Sequence, residues 1–231
     1  TSCNMGTIAE RLKIALKTIE QSACEANRPA NSVKLLAVTK TKPVSDIVQA
    51  YEVGQRLFAE NYVQEGLDKI QQLSELDDIE WHFIGPLQSN KTRPVAENFD
   101  WVHSIDRLKI AQRLNDQRSP HKKLNVCIQV NVDNESSKAG VSITDVNALA
   151  EQINTLPNLT LRGLMTIPKA HNDADLQRKS LLTMQRIFAQ LQTKYPQIDT
   201  LSMGMSGDIK LAIECGSTMV RIGRAIFGSR Q

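Results

Sequence analysis

The chain has little of what marks a polyanion binder, a metalloprotein or a disulfide scaffold. Of its 231 residues, 28 are basic and 25 acidic, spread along the chain for a formal net charge of +3. That is no electrostatic footprint for nucleic acid or a membrane surface. The cysteines, Cys3, Cys24, Cys127 and Cys215, form no Cys-x-x-Cys pair and have no histidine nearby at ligand spacing. Neither a zinc site nor a disulfide framework is therefore indicated, and reduced cytoplasmic thiols are expected. No run approaches the roughly 18 uninterrupted apolar residues of a membrane span, and no basic-then-apolar secretory signal opens the sequence. Thr1-Ser2-Cys3-Asn4, ahead of Met5, reads as an artificial remnant and is set aside. Low-complexity segments and Gly/Ser linkers are missing too, so one soluble domain over residues 1–231 is expected.

What the chain does have is alternation. Ile8, Leu12, Ala15 and Ile19 recur at helical spacing, so residues 6–27 read as an amphipathic helix ahead of any strand, ending near Asn27-Arg28-Pro29. Short apolar runs then alternate with helical stretches: Leu35–Val38, Leu57–Ala59, Trp81–Ile84, Trp101–His103, Val126–Val132, Leu161–Ile167, Ile198–Leu201 and Met219–Ile222. Between them the helical period is clearest at Leu181, Met184, Phe188 and Leu191 and weakest after Gly85-Pro86. Eight strand-helix units predict an α/β fold in which parallel strands close into a single (β/α)8 TIM-type barrel with an extra N-terminal helix. A doubly wound open sheet is the competing architecture; it lacks a Gly-x-Gly-x-x-Gly after the first strand.

Strand position then selects candidate residues, because ligands of parallel barrels sit where strands end. In the fifth run Val126, Ile128, Val130 and Val132 alternate with Asn125, Cys127, Gln129 and Asn131. If the apolar face meets the helices, Gln129 and Asn131 point inward near a ligand; an antiparallel, half-exposed strand is the other reading. Lys40 ends the first run and shares a face with Val38. Desolvation there lowers the pKa of its amine and favours attack on a carbonyl to give a Schiff base, whereas a solvated loop lysine before Pro43 is the plain alternative.

Ser206-Gly207-Asp208 after the seventh run and Gly223-Arg224 after the eighth suit a phosphate, with Ser206 capping the following helix; the same tripeptide also describes an ordinary N-cap. Arg221, inside the last apolar run, either faces the pocket or pairs with Asp208 or Glu214. His82 and His103 rank second, since a strand histidine is more often a satisfied core residue.

Ala37-Val38-Thr39-Lys40-Thr41-Lys42-Pro43, Gly54-Gln55, Ala59–Glu65, Trp81–Lys91, Gly163–Pro168, Ser202–Asp208 and Val220–Gly228 together resemble the pyridoxal phosphate homeostasis protein family, similar in fold to the N-terminal domain of alanine racemase. The resemblance spans about residues 8–228 and is more specific than any one motif. It implies pyridoxal 5′-phosphate (PLP) held as an internal aldimine on Lys40, a phosphate loop at Ser206 and Gly207, and Arg221 facing the pyridine nitrogen. It further implies backbone contacts to the phosphate at Gly223 and Arg224, pocket positions at Asn61, His82 and Met165, and a mobile-loop lysine at Lys138. Thr39 stands where serine is frequent in the family and Gly207 where alanine is.

An arginine at the pyridine nitrogen disfavours its protonation and weakens the ring as an electron sink. Racemases of this fold also use a tyrosine from a partner's C-terminal domain as a second acid/base group. Tyr51, Tyr62 and Tyr195 lie in or beside helices, and none is aimed at the pocket by its position. The resemblance thus implies a non-catalytic carrier that buffers PLP and releases it to apoenzymes, with a weak racemase or a Schiff-base lyase as the alternative. The helical outer faces mix charged and apolar residues without one large patch, so a monomer is expected.

Overall fold

The computed structural model describes residues 6–229. Thr1–Met5, including the artificial remnant read at residues 1–4 and Cys3, and the last two residues lie outside it. The element order is α1 (Ile8–Glu25), β1 (Lys34–Val38), α2 (Val44–Glu52), β2 (Leu57–Glu60), α3 (Val63–Gln72), β3 (Glu80–Phe83), α4 (Thr92–Asn98), β4 (Trp101–Ile105) and α5 (Leu108–Gln117). It continues with β5 (Leu124–Gln129), α6 (Val146–Asn154), β6 (Leu159–Met165), α7 (Ala174–Lys194), β7 (Thr200–Ser202), α8 (Ile209–Glu214), β8 (Met219–Ile222) and α9 (Arg224–Phe227). All eight strands are parallel, and β8 pairs back onto β1, Leu36 opposite Arg221, to close the barrel. The expected (β/α)8 barrel with its extra N-terminal helix is the fold.

Helix α1 starts at a capping box: the Thr7 hydroxyl accepts from the Glu10 N–H while the Glu10 carboxylate accepts from the Thr7 N–H. It stops where Asn27 turns left-handed, at φ 59°. Leu12, Ala15 and Ile19 are buried, and α1 packs in the outer ring against α2, α8 and α9. Arg11 and Arg28 fix it there by donating to the carbonyls of Ile226 and Ile213, each at 2.7 Å.

Period-2 alternation sorts the strand side chains into two cores. Leu35, Ala37, Phe58, Phe83, Val126, Ile128, Leu201 and Val220 face the helices in one large cluster. Leu36, Ala59 and Met219 fill one side of the lumen, and Trp101, Cys127 and Met165 the other. The β5 alternation therefore holds through Cys127, which lies inside.

Beyond that point the sequence expectation fails. β5 stops at Gln129 instead of Val132, and the chain turns so that Val130 bridges Val141. The Asn131 amide donates to the carbonyl of Glu135 at 2.7 Å, so Asn131 ties down the 131–138 loop and does not point into the lumen.

Candidate functional site

The strands end around a cavity of about 570 Å³, within the size range of small-molecule sites. Its walls bring together eight of the residues singled out in the sequence: Lys40, Asn61, Met165, Ser206, Gly207, Arg221, Gly223 and Arg224. The first and last of these are far apart in sequence but adjacent in a closed barrel, because β1 neighbours β8. Lining residues with titratable side chains are Lys40, Lys42, Arg221 and Arg224, all cationic. The electrostatics of the cavity therefore favour an anion.

A buried ion cluster shapes the loop that carries Lys40. Lys69 from α3 points at the end of β2, where its Nζ lies 3.0 Å from Glu60 Oε1 and 2.9 Å from Glu65 Oε2. The same ammonium donates to the Thr39 carbonyl at 2.7 Å, and the Thr39 hydroxyl donates to Glu60. On the other side of Lys40, the Thr41 N–H donates to Glu65 at 2.6 Å. Thr41 itself is left-handed at φ 65°, a costly conformation for a β-branched residue that persists only where its surroundings impose it. Both neighbours of Lys40 are thus held by one cluster. Burial pushes the Glu60 carboxyl up, and Lys69 opposes that shift. The sequence hinted at this only in that a carboxylate, Glu60, directly follows the apolar run Leu57–Ala59.

Arg221 resolves its two alternatives in favour of the cavity. It is 3% exposed, and instead of an ion pair it makes hydrogen bonds to neutral oxygens, Ser202 Oγ at 2.7 Å and the Thr166 carbonyl at 2.9 Å. Glu214 pairs instead with Arg178. Burial lowers the Arg221 pKa to about 10, which leaves it a cation at neutral pH.

Ser206 does not cap a helix. α8 begins three residues later, and Asp208 closes the loop by accepting the Met205 N–H at 2.7 Å. Ser206 and Gly207 instead stay open to the cavity; a Cβ on Gly207 would meet no atom within 4 Å. Gly223 is tighter, since a Cβ there would lie 3.3 Å from the Val38 carbonyl oxygen. Gly85 places Asn61, because a Cβ on it would come within 1.9 Å of the Asn61 carbonyl oxygen. The Asn61 side-chain oxygen is buried with no hydrogen-bond partner, an acceptor left over at the cavity wall.

Two expected positions lie elsewhere. His82 does not line the cavity: it is fully buried in the barrel interior, stacked on Trp101 with ring centroids 5.0 Å apart and hydrogen-bonded to His103 and Glu80. Two residues further on, just past the end of β3, Ile84 is what reaches the wall. Lys138 pairs with Glu135 at 3.1 Å in the loop tied down by Asn131, outside the cavity lining. Val38, on the face of β1 that the sequence assigned to Lys40, forms an apolar wall together with Ile84 and Ile167, which the sequence reasoning did not single out. Lys42 lines the mouth and donates to the Ser229 carbonyl at 2.8 Å. Among the described residues no cluster of His, Cys, Asp and Glu is arranged to hold a metal ion, and no helix is long and apolar enough to cross a membrane.

Fold and site together define a parallel β/α barrel whose amine-bearing first strand ends beside a cationic, glycine-edged pocket. The chain belongs to the family described as the alanine racemase N-terminal domain, matched over residues 14–231, and within it to the pyridoxal phosphate homeostasis proteins. It is 54% identical over 228 residues to the pyridoxal phosphate homeostasis protein of Pasteurella multocida, covering 97% of this chain and 98% of that one. The Vibrio alginolyticus protein of the same name is 55% identical over 230 residues, covering 98% and 99%. Among solved structures, PipY of Synechococcus elongatus with PLP bound superposes with a TM-score of 0.80 at 36% identity, covering 96% of this chain and all of that one. The Pasteurella and Vibrio relatives are named as homeostasis proteins rather than as enzymes.

Proposed function

We propose that this chain binds PLP covalently through Lys40 and serves PLP homeostasis as a carrier that holds and releases the compound. The observation that carries the reading is the convergence, in one cavity, of the Lys40 amine, a wholly cationic set of charged side chains and the partnerless Asn61 oxygen. When bound, PLP supplies an aldehyde that condenses with a lysine amine, and a dianionic phosphate.

The residues present fit both ends of such a molecule. The Glu60–Lys69–Glu65 cluster fixes the backbone on either side of Lys40 and so orients its amine. Ser206, Gly207, Gly223 and Arg224 receive the phosphate, with the glycines letting backbone approach closely. Arg221 faces the pyridine nitrogen as a permanent donor and keeps that nitrogen unprotonated, which suppresses carbanion chemistry. Asn61 offers its free acceptor to the ring substituents, Met165 packs against the ring, and His82 supports the floor from beneath without touching the ligand. Carrier rather than racemase is favoured because the titratable side chains at the cavity wall are cationic, while Tyr51 bonds Asp78 on the surface, Tyr62 is exposed at the start of α3 and Tyr195 caps α7. None of the three lines the cavity.

In this reading the protein acts as a monomer in the cytoplasm and hands PLP to apoenzymes. Supporting the cytoplasmic part of this reading, Cys24, Cys127 and Cys215 are unpaired thiols. The test is spectroscopic and kinetic. Protein loaded with PLP should be yellow, Lys40→Ala should lose the visible band, and neither should turn over L-alanine. Turnover of amino acids that Lys40→Ala abolishes would refute the carrier reading.

A further inference from the structure

Beneath the cavity a continuous hydrogen-bonded chain runs down the barrel interior. Arg221 Nη1 lies 2.7 Å from Ser202 Oγ, Ser202 Oγ 3.1 Å from His103 Nδ1, His103 Nε2 2.8 Å from His82 Nδ1, and His82 Nε2 2.9 Å from Glu80 Oε1. Ser202 and both histidines are fully buried. Glu80, first residue of β3, is at the opposite end of the barrel, its side chain 39% exposed. A buried polar chain of this length replaces apolar packing and is costly unless every member is satisfied.

The proton order of this chain follows from the chemistry of its ends. A guanidinium has no acceptor, so Ser202 Oγ accepts from Arg221 and turns its own hydrogen toward His103. His103 then accepts at Nδ1 and carries its proton on Nε2, which it donates to His82 Nδ1. His82 in turn donates from Nε2 to the Glu80 carboxylate, a group that only accepts when ionised. Every link has one donor and one acceptor, with both imidazoles neutral. Burial supports that neutrality by lowering both histidine pKa values, His103 further because His82 and Arg221 lie beside it.

We infer that Glu80 is a positioning residue for the cavity at the far end of the barrel: it fixes both imidazoles as Nε2–H tautomers and thereby fixes the acceptor that Ser202 presents to Arg221. The inference deepens the PLP-binding reading, since Arg221 is the group assigned to the pyridine nitrogen. If the carboxylate is replaced by an amide, position 80 can offer N–H₂ as well as an oxygen to His82 Nε2, so the order is no longer fixed and the reversed chain becomes available. In the reversed chain Ser202 receives protons from both His103 and Arg221, and the Arg221 anchor loosens.

Nitrogen-15 chemical shifts of the imidazoles in ligand-free protein test the order directly. Wild type should show His82 and His103 neutral and protonated at Nε2. Glu80→Gln should convert a substantial fraction of His103 to the Nδ1–H form while unfolding at nearly the same temperature. Loaded with PLP, both Glu80→Gln and Ser202→Ala should release it about tenfold faster than wild type, the scale of one charge-assisted hydrogen bond. Wild-type His103 protonated at Nδ1, unchanged tautomers in Glu80→Gln, or wild-type release rates in both variants would each overturn the inference. Should the wild type retain no PLP at all, the carrier reading falls, and the imidazole shifts alone decide the chain's proton order.

Discussion

Lys69 Nζ lies 2.7 Å from the carbonyl oxygen of Thr39, the residue immediately before Lys40. With side-chain exposures of 6% for Lys69 and 0% for its partner Glu60, this is a desolvated ion pair whose loss on one side only is expensive. Lys69→Met should therefore destabilise the protein by about 3–5 kcal/mol, because it strands the Glu60 carboxylate. Adding Glu60→Gln should recover most of that stability but not PLP retention, since the Thr39 carbonyl still lacks its donor. Denaturant unfolding of the two variants, read beside their visible bands, checks both halves; full retention of PLP in the double variant would show that the cluster does not orient Lys40.

Gly85 and Asn61 make a second structural test. A Cβ at position 85 would sit 1.9 Å from the Asn61 carbonyl oxygen, and backbone cannot yield as a flexible side chain does. Gly85→Ala should cost about 1–3 kcal/mol through overpacking and should weaken PLP binding by displacing Asn61. Thermal unfolding and equilibrium dialysis measure the two effects, and a variant as stable as wild type would contradict the close approach.

The buried histidines set a pH dependence. His82 and His103 have lowered pKa values in the folded protein, chiefly from burial, whereas the unfolded chain takes up their protons near pH 6.5. Below that value the unfolded state binds more protons than the folded one, so their contribution to stability is complete above about pH 6.5 and declines as pH falls. Each group adds a slope of up to about 1.4 kcal/mol per pH unit in that window. His103→Gln should therefore lose less stability than wild type between about pH 6.5 and 5. Parallel pH profiles for the two would rule the mechanism out.

How far the sequence alone could lead depended on whether the signal was local. Lys40 and Val38 were legible because a strand's period of two puts them on one face, and strand ends are where barrels bind. Arg221 was legible because a charge inside an apolar run demands a partner. Periodicity did not reveal where β5 stops: Val130 and Val132 continue its pattern, but at Val130, still bonded to Met165, the chain takes Val141 as a new neighbour, and Asn131 goes with it. Nor could it place Ser202, which meets His103 across 99 positions of sequence and belongs to a strand of only three residues. His82 was expected at the pocket, yet its neighbours in space, set by closure of the barrel, make it the satisfied core histidine that was the other reading, below the pocket floor.

The central claim is a single covalent bond from PLP to one amine. Borohydride reduction of the PLP-loaded protein, followed by peptide mass mapping, tests it most directly, because reduction makes the bond permanent wherever it is. The adduct should appear on the peptide containing Lys40, at one PLP per chain. A stoichiometric adduct on Lys42 or Lys138 instead, or none on any lysine, would contradict the account.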